Sequence, residues 1–138
     1  MKKILITGIT GQVGSQFADL ILEKTSWDVV GMMRWQEPMD NIYHLTDRIN
    51  RKDRIRIRYA DLNDFPSLYA LIREELPDYI THLAAQSYPK TSFDIPIETL
   101  TTNIIGTANL LESIRKTRNE VEGYNPVIHV CSSSEVYG

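Results

Sequence analysis

The sequence predicts an α/β chain: a doubly wound parallel sheet of five strands in the order 3-2-1-4-5, layered α/β/α. Short runs of strand formers alternate with longer amphipathic patterns from one end of the chain to the other. That alternation requires parallel strands joined by right-handed crossovers, with helices on both faces. A glycine-rich turn separates the first strand from the first helix, and the chain contains no repeat, low-complexity tract or linker-like shift in composition. Residues 1–138 therefore read as one domain.

Ile4-Leu5-Ile6-Thr7 is the first strand, and Val13, Phe17, Leu20 and Ile21 beyond the glycines are spaced as one face of a helix. Val29-Val30-Gly31-Met32-Met33 is the second strand. In the third, Ile55, Ile57 and Tyr59 alternate with Arg54, Arg56 and Arg58, and the predicted order puts this strand on an edge, where positive side chains discourage pairing with another sheet. Phe65, Leu68 and Ile72 mark a helix entered after Asn63 or Asp64 as cap. Tyr79-Ile80-Thr81-His82-Leu83 is the fourth strand. Leu100, Ile104, Ala108 and Leu111 are spaced along a long helix from near Pro96 to about Asn119, and Val127-Ile128-His129-Val130-Cys131 is the fifth strand, with Cys131 expected to be buried.

Composition removes several classes of function. Hydrophobic residues make up 42% and charged residues 24% of the 138, an ordinary globular balance. A formal net charge of -3 provides no basic field, so nucleic acid is not expected as a partner. The apolar runs are too short to span a bilayer, so no membrane is expected either. One cysteine excludes an intrachain disulfide framework, and with no signal peptide a reducing cytoplasm is the expected location. His44, His82, His129 and Cys131 lack metal-ligand spacing, so no metal is expected. Arg48, Arg51, Lys52, Arg54, Arg56 and Arg58 hold six of the 15 basic residues and read as a solvated face, with a subunit contact as the alternative.

The sharpest local signal is Gly8-Ile9-Thr10-Gly11-Gln12-Val13-Gly14, a G-x-x-G-x-x-G turn between strand and helix. Glycines tolerate positive φ and allow backbone to approach a ligand. The helix start offers free N–H groups and the positive end of its dipole to a phosphate. The context is the one a dinucleotide-binding, Rossmann-type fold demands, although ordinary tight turns use the same residues.

With that turn, the chain resembles the extended short-chain dehydrogenase/reductases that modify nucleotide sugars. The likeness continues through Tyr59-Ala60-Asp61-Leu62, His82-Leu83-Ala84-Ala85-Gln86-Ser87, Asn103-Ile104-Ile105-Gly106-Thr107 and Ser132-Ser133-Ser134-Glu135-Val136-Tyr137-Gly138, so it covers the whole chain. The glycine turn, the Arg34 region, and Leu83 to Ser87 followed by Ser92-Phe93 are most similar to the GDP-mannose 4,6-dehydratase branch, with the GDP-6-deoxy-mannose reductases sharing much of the pattern. The resemblance implies a nucleotide-sugar substrate, a bound NADP or NAD, and a homo-oligomer. Gly8, Thr10, Gly11, Gln12, Val13 and Gly14 would form the cofactor turn. Asp61 and Leu62 would flank the adenine, and Leu83, Ala84 and Ala85 would pack along the cofactor. Gln86, Ser87 and Thr91 fall where the family places hexose contacts, and Ser134 is expected to bind the substrate with Gln86 and Ser87.

Residue chemistry leaves other readings open beside these. Asp61 also suits a turn or cap carboxylate, Ala84 and Ala85 suit close strand packing, and Gln86 and Ser87 suit a polar loop. Where NAD-binding domains place a ribose-binding acid, about 20 residues past the glycines, Met32 and Met33 stand here, and Arg34 follows. A guanidinium matches a 2′-phosphate, so NADP is expected over NAD, although an exposed loop arginine is the plain alternative.

By the same resemblance, Ser133 would hydrogen-bond the sugar hydroxyl being oxidised and Glu135 would be the base. Once C4 is a ketone, the C5 hydrogen is acidified and a carboxylate can remove it; water leaves from C6 and the stored hydride returns there. Glu135 would then need burial to bring its pKa towards neutrality. Ser134 stands where some sugar dehydratases carry an acidic residue. The family's Tyr-x-x-x-Lys pair is absent, since no tyrosine here is followed four places on by lysine. The chain is therefore expected to be the N-terminal part of a longer dehydratase and to be inactive alone. A reductase, a 4-epimerase and a non-catalytic dinucleotide-binding module are the alternatives.

Overall fold

The computed structural model describes all residues, Met1–Gly138. Five parallel strands, β1 (Lys3–Thr7), β2 (Asp28–Met33), β3 (Ile55–Tyr59), β4 (Tyr79–His82) and β5 (Val127–Val130), lie in the order β3-β2-β1-β4-β5. Six α-helices connect them: α1 (Gln12–Lys24), α2 (Thr46–Arg51), α3 (Phe65–Glu75), α4 (Pro89–Asp94), α5 (Pro96–Leu100) and α6 (Gly106–Glu120). The predicted sheet order and layering are those observed.

Alternation along β1 explains the two-sided core. Ile4 and Ile6 join Ile9, Ala18, Ile21, Leu22, Val29 and Ile55 on the α1 side, whereas Leu5 joins Val30, Leu68, Ile72, Leu110 and Ile114 on the α3–α6 side. A parallel strand buried on both faces needs apolar residues at every position, and the run Ile4 to Ile6 meets that need. No helix is long and apolar enough to cross a membrane.

Two helices turn a different face to the sheet than spacing predicts. On α1, Ile21 is buried but Val13 and Leu20 are exposed, because the small residues Gly14, Ser15 and Ala18 form the close contact. Before α6, a π-helical turn spans Thr101–Ile105. On α6 the buried face is Leu110, Ser113, Ile114 and Thr117, with Leu110 and Ile114 packed on Leu68, Leu71 and Ile72, while Leu100, Ile104, Ala108 and Leu111 are exposed.

Basic residues around β3 are partly structural instead of a solvated face. Arg54 donates to the carbonyls of Leu22 (2.6 Å) and Thr25 (2.7 Å), satisfying the C-terminal end of α1. Arg56 and Arg58 both donate to Glu75 in the last turn of α3, Arg58 at 2.7 Å, and Glu75 is only 6% exposed. Burial pushes the Glu75 carboxyl up, but hydrogen bonds from Arg56 and Arg58 and the charges of Arg56 and Lys3 outweigh it and hold its pKa down at about 2. Arg48 pairs with Asp53 at the surface. At the opposite edge Cys131 is exposed, against expectation, because β5 pairs only with β4 and Cys131 lies just past its end.

Candidate nucleotide-binding cleft

The site lies at the carboxyl ends of β1, β2 and β4, where the sheet reverses its direction of winding. Gly8 ends β1 at φ +73°, and a Cβ there would lie 2.9 Å from the Ala84 nitrogen. A Cβ at Gly14 would lie 2.2 Å from the Gly8 carbonyl oxygen, so only glycine lets α1 start this close to the strand. The Gly8 carbonyl accepts the Gly11 N–H at 3.0 Å, and Gly11 accepts the Ser15 N–H at 3.0 Å. No side chain caps α1, which leaves the N–H groups of Gln12, Val13 and Gly14 without a protein partner. Three amides and the helix dipole make an anion cradle.

Below this turn is a cleft of about 430 Å³. Gly8, Thr10 and Gly11 line one side, Arg34 and Asp61 with Leu62 another, and Leu83, Ala84, Ala85, Gln86 and Ser87 the far side. The structure thus brings most of the expected cofactor and hexose residues together. Gln12 and Val13 stand exposed on the first turn of α1, outside the cleft lining, and Gly14 is buried against Gly8.

Asp61 takes up the turn role read from its residue type, its Oδ1 accepting the Asn63 N–H at 2.8 Å, and it also lines the cleft. Gln86 is held on all sides: Oε1 accepts the Tyr88 N–H at 2.6 Å, Nε2 donates to Thr99 at 3.0 Å, and its backbone exchanges two bonds with the Asn103 side chain. Asn103 stands in the π-helical turn, so that distortion and the loop after β4 are locked together.

Ser133, Ser134 and Glu135 follow β5 at the same edge of the sheet but are exposed and do not line the cleft. Ser133 Oγ accepts the Glu135 N–H at 3.1 Å, and Ser134 donates to Glu135 at 3.4 Å.

Sequence reasoning missed two features. A carboxylate does stand near the end of β2, because the loop after it brings Glu37 back to Arg34. Gln36 at φ +61° closes a tight turn in which Arg34 O accepts the Glu37 N–H at 3.3 Å. The Glu37 carboxylate then accepts the Arg34 backbone N–H at 3.1 Å and its guanidinium at 3.3 Å. A four-residue return of this kind depends on a left-handed Gln36, which side-chain pattern does not announce.

The second is His82, buried between Thr7 Oγ1 (2.8 Å) and Thr107 Oγ1 (3.0 Å). Thr7 Oγ1 also accepts the N–H groups of Leu83 (3.0 Å) and Ala84 (3.1 Å), which fixes the first cleft-lining residues after β4. Burial pushes the His82 pKa below its ordinary 6.5.

A family model described as GDP-mannose 4,6 dehydratase matches residues 5–138. A GDP-mannose 4,6-dehydratase of Yersinia enterocolitica is 38% identical over 143 residues, covering 100% of this chain and 37% of that protein. A GDP-mannose 4,6 dehydratase of Homo sapiens is 36% identical, covering 97% of this chain and 36% of its own. The chain thus spans little more than a third of the length of these curated relatives. Among solved structures, a UDP-glucose-4-epimerase from Stenotrophomonas maltophila with bound NAD superposes at a TM-score of 0.78 and 27% identity, over 100% of this chain and 39% of that one. WbmH from Bordetella bronchiseptica, in complex with NAD+, superposes at 0.66 and 30% identity, over 85% and 36%. By the extent of the family match and its agreement with the cleft, this chain belongs to the GDP-mannose 4,6-dehydratase family.

Proposed function

We propose that residues 1–138 form the dinucleotide-binding domain of a nucleotide-sugar 4,6-dehydratase acting on GDP-mannose in the cytoplasm. The observation that carries this reading is the set of three unpartnered amides at the start of α1, next to the cleft that Gly8, Thr10 and Gly11 share with Leu83 to Ser87. A pyrophosphate fits that donor set. Gly8, Thr10, Gly11, Gln12, Val13 and Gly14 would hold it, Asp61 and Leu62 would flank the adenine, and Leu83, Ala84 and Ala85 would lie along the nicotinamide side. When bound, the nicotinamide supplies a hydride acceptor that later returns the hydride.

NADP is the proposed form, because Arg34 offers a guanidinium at the end of β2. Ser133 is proposed to bond the sugar hydroxyl and Glu135 to take the C5 proton, with Gln86, Ser87 and Ser134 near the hexose. Their shared edge of the sheet supports this. Gln86 acts chiefly by holding the loop, since its side chain is already bonded to Tyr88 and Thr99. The exposed apolar positions Leu100, Ile104 and Leu111 support assembly into a homo-oligomer.

Calorimetric titration of the purified chain with NADP and NAD tests the cofactor reading; absence of heat with both overturns it. For the full-length protein, incubation with GDP-mannose should yield a 4-keto-6-deoxy product. A product epimerised at C4 with its C6 hydroxyl retained would favour the 4-epimerase alternative.

A further inference from the structure

The Arg34–Glu37 turn bears directly on cofactor choice. Both residues line the cleft and also a neighbouring cavity of about 520 Å³ that continues along Tyr59 and Asp61. Arg34 has a side chain 62% exposed, whereas that of Glu37 is 21% exposed, so the carboxylate is the fixed member and the guanidinium the mobile one. The carboxylate is fixed by its bond from the Arg34 backbone N–H, which does not depend on the guanidinium. An exposed ion pair of this kind is cheap to open.

We propose that Glu37 is a specificity-determining residue that narrows the preference for NADP over NAD. This rests on the cofactor reading above. With NAD, the Glu37 carboxylate accepts a hydroxyl of the adenosine ribose while it keeps Arg34. With NADP, the guanidinium leaves Glu37 for the 2′-phosphate, and the carboxylate is left facing a dianion. Arg34 favours NADP and Glu37 opposes it, so the preference for NADP is modest.

Titrating NADP and NAD into the wild-type chain, Glu37→Gln and Arg34→Leu tests this. The amide of the Glu37→Gln variant keeps an acceptor for the Arg34 N–H, so the turn survives while the charge is lost; circular dichroism and thermal melting verify the fold. The wild-type dissociation constants should lie within about tenfold of one another, and Glu37→Gln should move their ratio about tenfold towards NADP, less so at high salt. Arg34→Leu should weaken NADP about tenfold and leave NAD nearly unchanged. If both nucleotides bind the wild type but Glu37→Gln leaves the ratio unmoved, the selector role is wrong and the cofactor reading stands. If neither binds, both fall together.

Discussion

Thr7 Oγ1 and His82 Nδ1 meet at 2.8 Å inside the sheet, and that contact sets the tautomer of the buried histidine. Thr7 already accepts two backbone N–H groups, so its single hydrogen goes to Nδ1. His82 Nε2 then carries the proton and donates to Thr107, whose hydroxyl donates to the Asn103 carbonyl at 2.7 Å. Thr7→Val leaves the Leu83 and Ala84 amides and Nδ1 without partners. It should destabilise the chain by roughly 2–3 kcal/mol, measured by urea unfolding, and weaken dinucleotide binding by loosening the far wall of the cleft.

The same pair predicts a pH response. The folded His82 pKa lies below 6.5, so the unfolded chain takes up a proton first as pH falls. This part of the stability is complete above about 6.5 and is lost as pH falls through the folded value. Unfolding free energies at pH 7.5 and 5.5 should differ less in His82→Gln than in the wild type. An unchanged difference would falsify the assignment.

Glu75 governs a separate, more acidic window. Its folded pKa of about 2 lies below the ordinary 4.5, so its contribution is present above 4.5 and is lost as pH falls towards 2. The shift corresponds to about 3 kcal/mol at neutral pH. Glu75→Gln should remove most of it and flatten the acid limb of a stability-against-pH curve.

Gly14→Ala places a methyl group against the Gly8 carbonyl at 2.2 Å, which neither backbone can yield without moving α1 off β1. The expected cost is about 1–3 kcal/mol of stability, with loss of measurable dinucleotide binding in the same titration. Full affinity in a folded variant would show that the phosphate is held elsewhere.

In the full-length protein, Glu135→Gln should lower kcat by about 10²–10⁴ with little change in KM, as expected for loss of a general base. The 138 residues alone should show no turnover of GDP-mannose, since they contain no Tyr-x-x-x-Lys pair. Product formation by this chain would place the acid/base chemistry on other residues.

The fold is legible in the residues because apolar runs such as Ile4 to Ile6 satisfy a strand buried on both faces, and Gly8 and Gly14 satisfy a turn with no room for a Cβ at either. Helix faces are harder. Leu100, Ile104, Ala108 and Leu111 keep a helical spacing, yet α6 buries a second stripe, Leu110, Ser113, Ile114 and Thr117, of which two members are polar. A count of apolar positions does not register a buried face that is half polar. Glu37 escapes for a different reason: three positions of separation from Arg34 become one contact only through the conformation of Gln36. His82 lies inside a strand run, and its polar partners come from β1 and α6, far away in the chain.

The central position of β1 has a practical consequence for redesign. Its carboxyl end is tied to the β4 side through the Thr7 hydroxyl, which holds Leu83 and Ala84. On the β2 side, Asn41 donates to the Thr10 carbonyl at 2.8 Å. A loop grafted after β2 to change nucleotide preference can therefore vary from Trp35 to Pro38, provided that Met39, packed on the core, and the Asn41 tether are kept to hold the glycine turn in place.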